Sequence, residues 1–133
     1  MNDRAAPFIL LVEDEPADAH LVRLGLRESH IGANLHHVSD GQAALDYLYA
    51  PNHRRPSLIL LDLNMPRMNG LECLAALKND RALADIPVVV LTTSAAERDI
   101  TAARTAGAIA FLTKPVDVRQ FFAAIDSLKR YLQ

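Results

Sequence analysis

The run Leu58-Ile-Leu-Leu-Asp62 constrains this chain more than any other. Four aliphatic residues lead directly into a carboxylate, and Pro66 and Asn69-Gly70 follow as turn signals. A short, unbroken apolar run bounded by turn residues reads as a strand buried on both faces, the usual condition of parallel sheet. An isolated carboxylate is too costly to bury. Asp62 is therefore expected at the C-terminal end of the strand, facing solvent. In open parallel α/β sheets, ligands bind along that edge.

Two further runs behave in the same way. Phe8-Ile-Leu-Leu-Val12 ends in Glu13-Asp14-Glu15, and Val88-Val-Val-Leu91 ends in Thr92-Thr93-Ser94. Weaker strands are expected over residues 35–38 and 109–113, the second closing on Lys114-Pro115. Between the strands lie helical segments. Pro16 opens one over residues 17–29, Asp40 caps one that runs to residue 49, and one spans residues 70–78. Gly107 stops one over residues 96–106. The last, over residues 117–132, carries Val118, Phe121, Phe122, Ile125, Leu128 and Leu132 as one apolar stripe. Strand and helix alternate five times, which predicts an α/β domain with a parallel sheet, helices on both faces and right-handed crossovers.

At 133 residues the chain is expected to form a single domain over residues 1–133, its core spanning residues 8–132. A net charge of -2 gives no support for nucleic-acid binding. No apolar run approaches a membrane span and the N-terminus is no signal peptide, so neither membrane nor export is expected. The single cysteine, Cys73, excludes an internal disulfide, fits a cytoplasmic location and reads as a packing residue. His36 and His37 point to opposite faces of their strand, which prevents an easy shared metal. His20, His30 and His53 read as surface residues.

Parallel strands place all their C-terminal ends on one edge. Glu13, Asp14, Asp62, Thr92, Thr93 and Lys114 then converge from four strands. Each has an ordinary explanation as a cap or turn former, but four such features at four strand ends are unlikely to be independent caps. Two carboxylates ~4 Å apart repel by about 4 kcal/mol at an effective dielectric of ~20, so a pKa rises or a cation enters. An all-oxygen site open to water suits Mg²⁺. A carboxylate can attack phosphorus to give an aspartyl phosphate, and phosphoryl transfer needs positioning and charge neutralisation above all.

Val12-Glu-Asp14, Leu61-Asp-Leu-Asn-Met-Pro66 with Gly70, Val90-Leu-Thr-Thr93 and Phe111-Leu-Thr-Lys-Pro115 together resemble a response-regulator receiver domain of two-component signalling. The resemblance runs from Phe8 to Leu132. It implies a flavodoxin-like sheet of order 2-1-3-4-5 and assigns roles. Asp62 matches the phosphoacceptor. Glu13, Asp14, Asp62 and the Asn64 carbonyl match the Mg²⁺ ligands. Thr92 matches the switch hydroxyl, and Thr93 a backbone N–H donor to the phosphoryl group. Lys114 matches the phosphate-pairing lysine, joined to Pro115 by a bond expected cis, and Phe111 matches the aromatic switch.

Two departures stand out: Glu13 is one methylene longer than the more usual aspartate, and Phe111 lacks the hydroxyl of the frequent tyrosine. The long loop and the Val-Val-Val-Leu-Thr-Thr-Ser run also resemble stand-alone receivers that serve phytochrome-like sensor kinases. The implied protein is a signalling phosphoacceptor rather than an enzyme on separate substrates, assisting its own Mg²⁺-dependent phosphorylation and dephosphorylation. Its implied partners are a sensor histidine kinase and a downstream target or phosphotransfer protein. Homodimerisation is open, through a surface formed by the fourth helix, fifth strand and fifth helix.

Three rival readings fit these residues less well. A phosphatase of the haloacid-dehalogenase type needs an acid two residues beyond the nucleophile, where Asn64 stands. A flavodoxin needs a phosphate cradle where Glu13-Asp14-Glu15 repels one. An inert pseudo-receiver leaves the full set of acids, Thr92 and Lys114 without a use.

Overall fold

The computed structural model describes residues 6–51, 53–63, 69–92, 97–114 and 117–132. Strands β1 (Phe8–Val12), β2 (Asn34–Val38), β3 (Leu58–Asp62), β4 (Val88–Thr92) and β5 (Ala110–Thr113) alternate with helices. These are α1 (Pro16–Glu28), α2 (Gly41–Tyr49), α3 (Gly70–Lys78), α4 (Glu97–Thr105) and α5 (Val118–Asp126). The strands form one parallel sheet in the order β2-β1-β3-β4-β5, as expected. The three continuous apolar runs are its three central strands, buried at every position. The weaker runs are its edges, where burial is partial.

Alternation along the strands divides the core in two. Leu10, Val12, Ile59, Leu61, Val88 and Val90 pack with Leu45, Leu48, Leu74 and Leu77 of α2 and α3, and with Ala103 of α4. Ile9, Leu11, Leu58, Leu60, Val89, Leu91 and Leu112 pack with Val22 and Leu26 of α1 and Phe121 and Ile125 of α5. Cys73 is buried in the first of these layers, and burial pushes its thiol up to about 11, as fits a packing residue.

Helix ends follow local chemistry. The Asp40 carboxylate accepts from Ala43 N–H at 2.8 Å to begin α2. Asn69 and Glu72 form a reciprocal capping box at α3. Gly107 has φ 111° and closes α4, its N–H bonding to Arg104 O and that of Ala108 to Ala103 O. The terminal helix differs from expectation. The α-helix stops at Asp126 and a 3₁₀ segment, Ser127–Tyr131, completes it. Val118 is exposed because it occupies the first helical position, before the buried stripe of Phe121, Ile125 and Leu128 begins. Phe122 and Leu132 are half-buried. Of the histidines expected at the surface, His20 and His30 are exposed and His53 is half-buried.

Gly70 joins the fold to the site. Its N–H donates to Leu63 O at 3.0 Å, seating the start of α3 against the end of β3. A Cβ there would lie 2.5 Å from Leu63 Cα and closer still to the Asp62 carbonyl oxygen. Both are backbone atoms with no easy retreat. Gly70→Ala is expected to destabilise the domain by about 1–3 kcal/mol, as overpacking does. Urea unfolding measures this, and an unchanged midpoint would show that the end of β3 can move.

Candidate functional site

The ladders extend one residue past the strands. Glu13 N–H donates to Val38 O at 3.0 Å, Leu63 N–H to Leu91 O at 3.1 Å, and Lys114 N–H to Thr92 O at 2.7 Å. Glu13 and Asp62 thereby stand level at the C-terminal edge, with Lys114 two residues farther along from β5. They also share a face. Each lies two residues beyond a side chain of the α1/α5 layer, namely Leu11, Leu60 and Leu112. Thr92 and Phe111 fall on the opposite face: Thr92 lies two residues beyond Val90 of the α2/α3/α4 layer, and Phe111 is the register partner of Val90 on β5.

The Lys114 ammonium is the centre of the cluster. It lies 2.6 Å from Glu13 Oε1, 2.9 Å from Asp18 Oδ2 and 3.4 Å from Asp62 Oδ2. Asp62 is 2 % exposed, which corrects the expectation that it faces solvent. The cation makes its burial tolerable, since a buried carboxylate persists where it is paired. Glu13 is fully buried, whereas its neighbour Asp14 is exposed. Asp18 was not singled out in the sequence. Its signal was available in the spacing of α1: as the third helical residue it lies one turn beyond the strand end and can reach back over the edge.

One oxygen each from Glu13, Asp14 and Asp62 lie within 4.8 Å of one another. Burial pushes Glu13 up to about 7; Lys114 pulls it down and the Asp62 charge raises it. Burial by itself would lower the Lys114 pKa, but hydrogen bonds to Glu13 and Asp18 and the charges of Glu13 and Asp62 outweigh it, so the ammonium is held above its usual range. Glu13 Oε1 is paired with the ammonium at 2.6 Å, and its Oε2 accepts from Glu15 N–H at 3.2 Å. An all-oxygen cluster of three carboxylates fits a hard divalent cation.

Thr92 is fully buried at the end of β4. Phe111 is half-buried against the α2/α3/α4 layer, with the Arg104 guanidinium 4.9 Å from its ring centroid. His37 bonds through Nε2 to Glu13 O at 2.6 Å, and His36 stacks on Tyr47. Asn64, Thr93 and the Lys114–Pro115 bond, expected cis, lie outside the described residues.

A buried carboxylate facing one ammonium and two further acids, at the ligand-binding edge of a doubly wound sheet, defines a site that handles a charged group through oxygen and nitrogen donors. The response regulator receiver domain family model matches residues 9–126. The chain belongs to that family of two-component signalling proteins. It is 40% identical to the response regulator Rcp1 of Synechocystis sp. over 98% of this chain and 93% of that protein. The Mn²⁺-bound form of Rcp1 superposes with a TM-score of 0.86, covering 96% of this chain and 95% of that one at 40% identity. The phosphorylated cyanobacterial phytochrome response regulator RcpA gives a TM-score of 0.88 at 38% identity, covering 96% and 94% of the two chains. Among the described residues, no helix is long and apolar enough to cross a membrane.

The raised Glu13 pKa makes a signed prediction. The folded protein holds this proton below about 7, while an unperturbed glutamate releases it near 4.5. Protonation therefore favours the folded state increasingly as pH falls from about 7 towards 4.5, and the full cost of the buried charge stands above 7. In EDTA, the urea midpoint of wild type relative to Glu13→Gln should rise between about pH 8 and about pH 5.5. A difference that is flat with pH contradicts it.

Proposed function

We propose that this chain acts as a single receiver domain over residues 1–133, accepting a phosphoryl group on Asp62 from the phosphohistidine of a sensor kinase. The observation that carries this is the Lys114 ammonium held between Glu13 and Asp62 at the sheet edge. An Asp62 oxygen attacks phosphorus, forming the P–O bond as the P–N bond breaks. The histidine nitrogen leaves with that electron pair and takes a proton. Lys114 neutralises charge on the transferred group, and the Thr92 hydroxyl and Thr93 N–H donate to it. Glu13, Asp14, Asp62 and the Asn64 carbonyl are the proposed holders of Mg²⁺, which when bound supplies further neutralisation of the phosphoryl oxygens. The donor set fits such a hard cation through its clustered carboxylates.

The output follows from which faces the residues occupy. Asp62 belongs to the α1/α5 face, while Thr92 and Phe111 belong to the α4 face. Drawing the Thr92 hydroxyl towards a new dianion opens space behind it for Phe111, whose inward rotation must break its contact with Arg104. The α4-β5-α5 surface then changes, a two-state element biased by local charge. That surface signals through a protein target, homodimerisation or onward phosphotransfer. Likeness to the phytochrome response regulator RcpA supports a phytochrome-like kinase as the donor. The net charge of -2 gives no electrostatic drive towards nucleic acid, and the reading places the protein in the cytoplasm with no membrane attachment. It makes the protein a phosphoacceptor that assists its own phosphorylation and dephosphorylation, without turnover of a separate substrate.

With a small-molecule acyl phosphate and Mg²⁺, wild type should gain one phosphoryl group, while Asp62→Asn gains none and EDTA prevents uptake. Intact-mass spectrometry reads all three. Uptake by Asp62→Asn at the wild-type rate would place the acceptor elsewhere.

A further inference from the structure

We infer that Asp18 is a positioning residue that holds the Lys114 ammonium in the unphosphorylated protein and yields it to the phosphoryl group; the inference rests on Asp62 being the phosphoacceptor. An ammonium has three N–H donors and no acceptor. Here three carboxylates surround it, and Asp62 is the most distant, at 3.4 Å, against 2.6 Å for Glu13 and 2.9 Å for Asp18. The ammonium's charge is shared among these three carboxylates before any phosphoryl group arrives. Phosphorylation moves the negative charge at Asp62 outward, from the carboxylate to the phosphoryl oxygens. To follow it, Lys114 must release a partner.

The three carboxylates differ in what release costs. Glu13 and Asp62 are buried, and a buried carboxylate deprived of its cation is strongly penalised. The Asp18 side chain is 31% exposed and anchored in the first turn of α1, where water and the helix N-terminus both stabilise its charge. Asp18 is therefore the partner that can be given up. Until then it competes with the phosphoryl group for one cation. The ordinary alternative is that Asp18 serves only as a first-turn acid complementing the helix dipole, which involves no competition for Lys114.

The test uses the full chain with Asp18→Asn, Asp18→Glu, Lys114→Met and the Asp18→Asn/Lys114→Met double variant. The first readout is the Lys114 ammonium signal in lysine-selective ¹H–¹⁵N spectra without ligand. Asp18→Asn should shift and broaden it through faster proton exchange, while Asp18→Glu should restore much of the wild-type signal. The second is affinity for beryllofluoride with Mg²⁺, by NMR titration. Asp18→Asn should bind roughly fivefold more tightly than wild type, the scale of a partly exposed ion pair. That gain should vanish in the Lys114→Met background. An equal gain there means a general charge effect and overturns the inference, as does an unchanged ammonium signal in Asp18→Asn. No wild-type response to beryllofluoride would instead overturn the phosphoacceptor reading, and the ammonium signal would still decide whether Asp18 holds Lys114.

Discussion

A parallel sheet covered on both faces admits apolar side chains along its whole length and polar ones only at its ends. Strict alternation of side chains then decides which polar residues meet. β1, β3 and β4 are buried at every position, so a slip of one residue in any of them would exchange its two apolar faces and send its terminal polar group to the wrong side. The register that packs Leu11, Leu60 and Leu112 against α1 and α5 is also the register that directs Glu13, Asp62 and Lys114 to one face. Core packing and site assembly are thus one constraint. The site needs no separate scaffold, because the hydrophobic layers carry its precision.

Charge balance is the second constraint. Glu13, Asp18 and Asp62 surround one ammonium and Asp14 lies beside Glu13 and Asp62, so the ionised cluster retains three negative charges. Burial raises the Glu13 pKa, and the Asp62 charge adds to the rise. A cluster in this condition gains by taking up a cation, a proton or both. Its charge deficit is what makes the edge responsive, and its stability is coupled to its ligands. Gly70 supports the arrangement from outside, allowing α3 to start against the Asp62 carbonyl where no side chain would fit.

Legibility in the sequence followed the strength of the local signal. The three central strands could be read because burial on both faces leaves an unbroken aliphatic run, and α3 because Asn69 and Gly70 mark its start. The edge strands were weaker, since partial exposure dilutes the pattern in Asn34-Leu-His-His-Val38. The last helix was read too long at its apolar ends, because periodicity records which residues are apolar and not where an α-helical turn tightens into a 3₁₀ one. In the site, Glu13, Asp14, Asp62, Thr92 and Lys114 were marked by their place after strands. Asp18 was not, because an acid in the first turn of a helix already has a sufficient local explanation in the dipole.

The sequence by itself determined the alternation of five strands with five helices, the edge on which the polar residues collect, and the carboxylates and lysine found there. These depend on period, turn residues and burial, all of which are local. Only the tertiary structure decided that Asp62 is buried and not turned to solvent, that Glu13 is buried with a raised pKa while Asp14 stays in water, and that Asp18 reaches Lys114 across 96 residues of chain. Those outcomes depend on distances of 2.6 to 3.4 Å between groups on different elements. Electrostatic energy varies steeply over that range, and residue order alone carries no record of it.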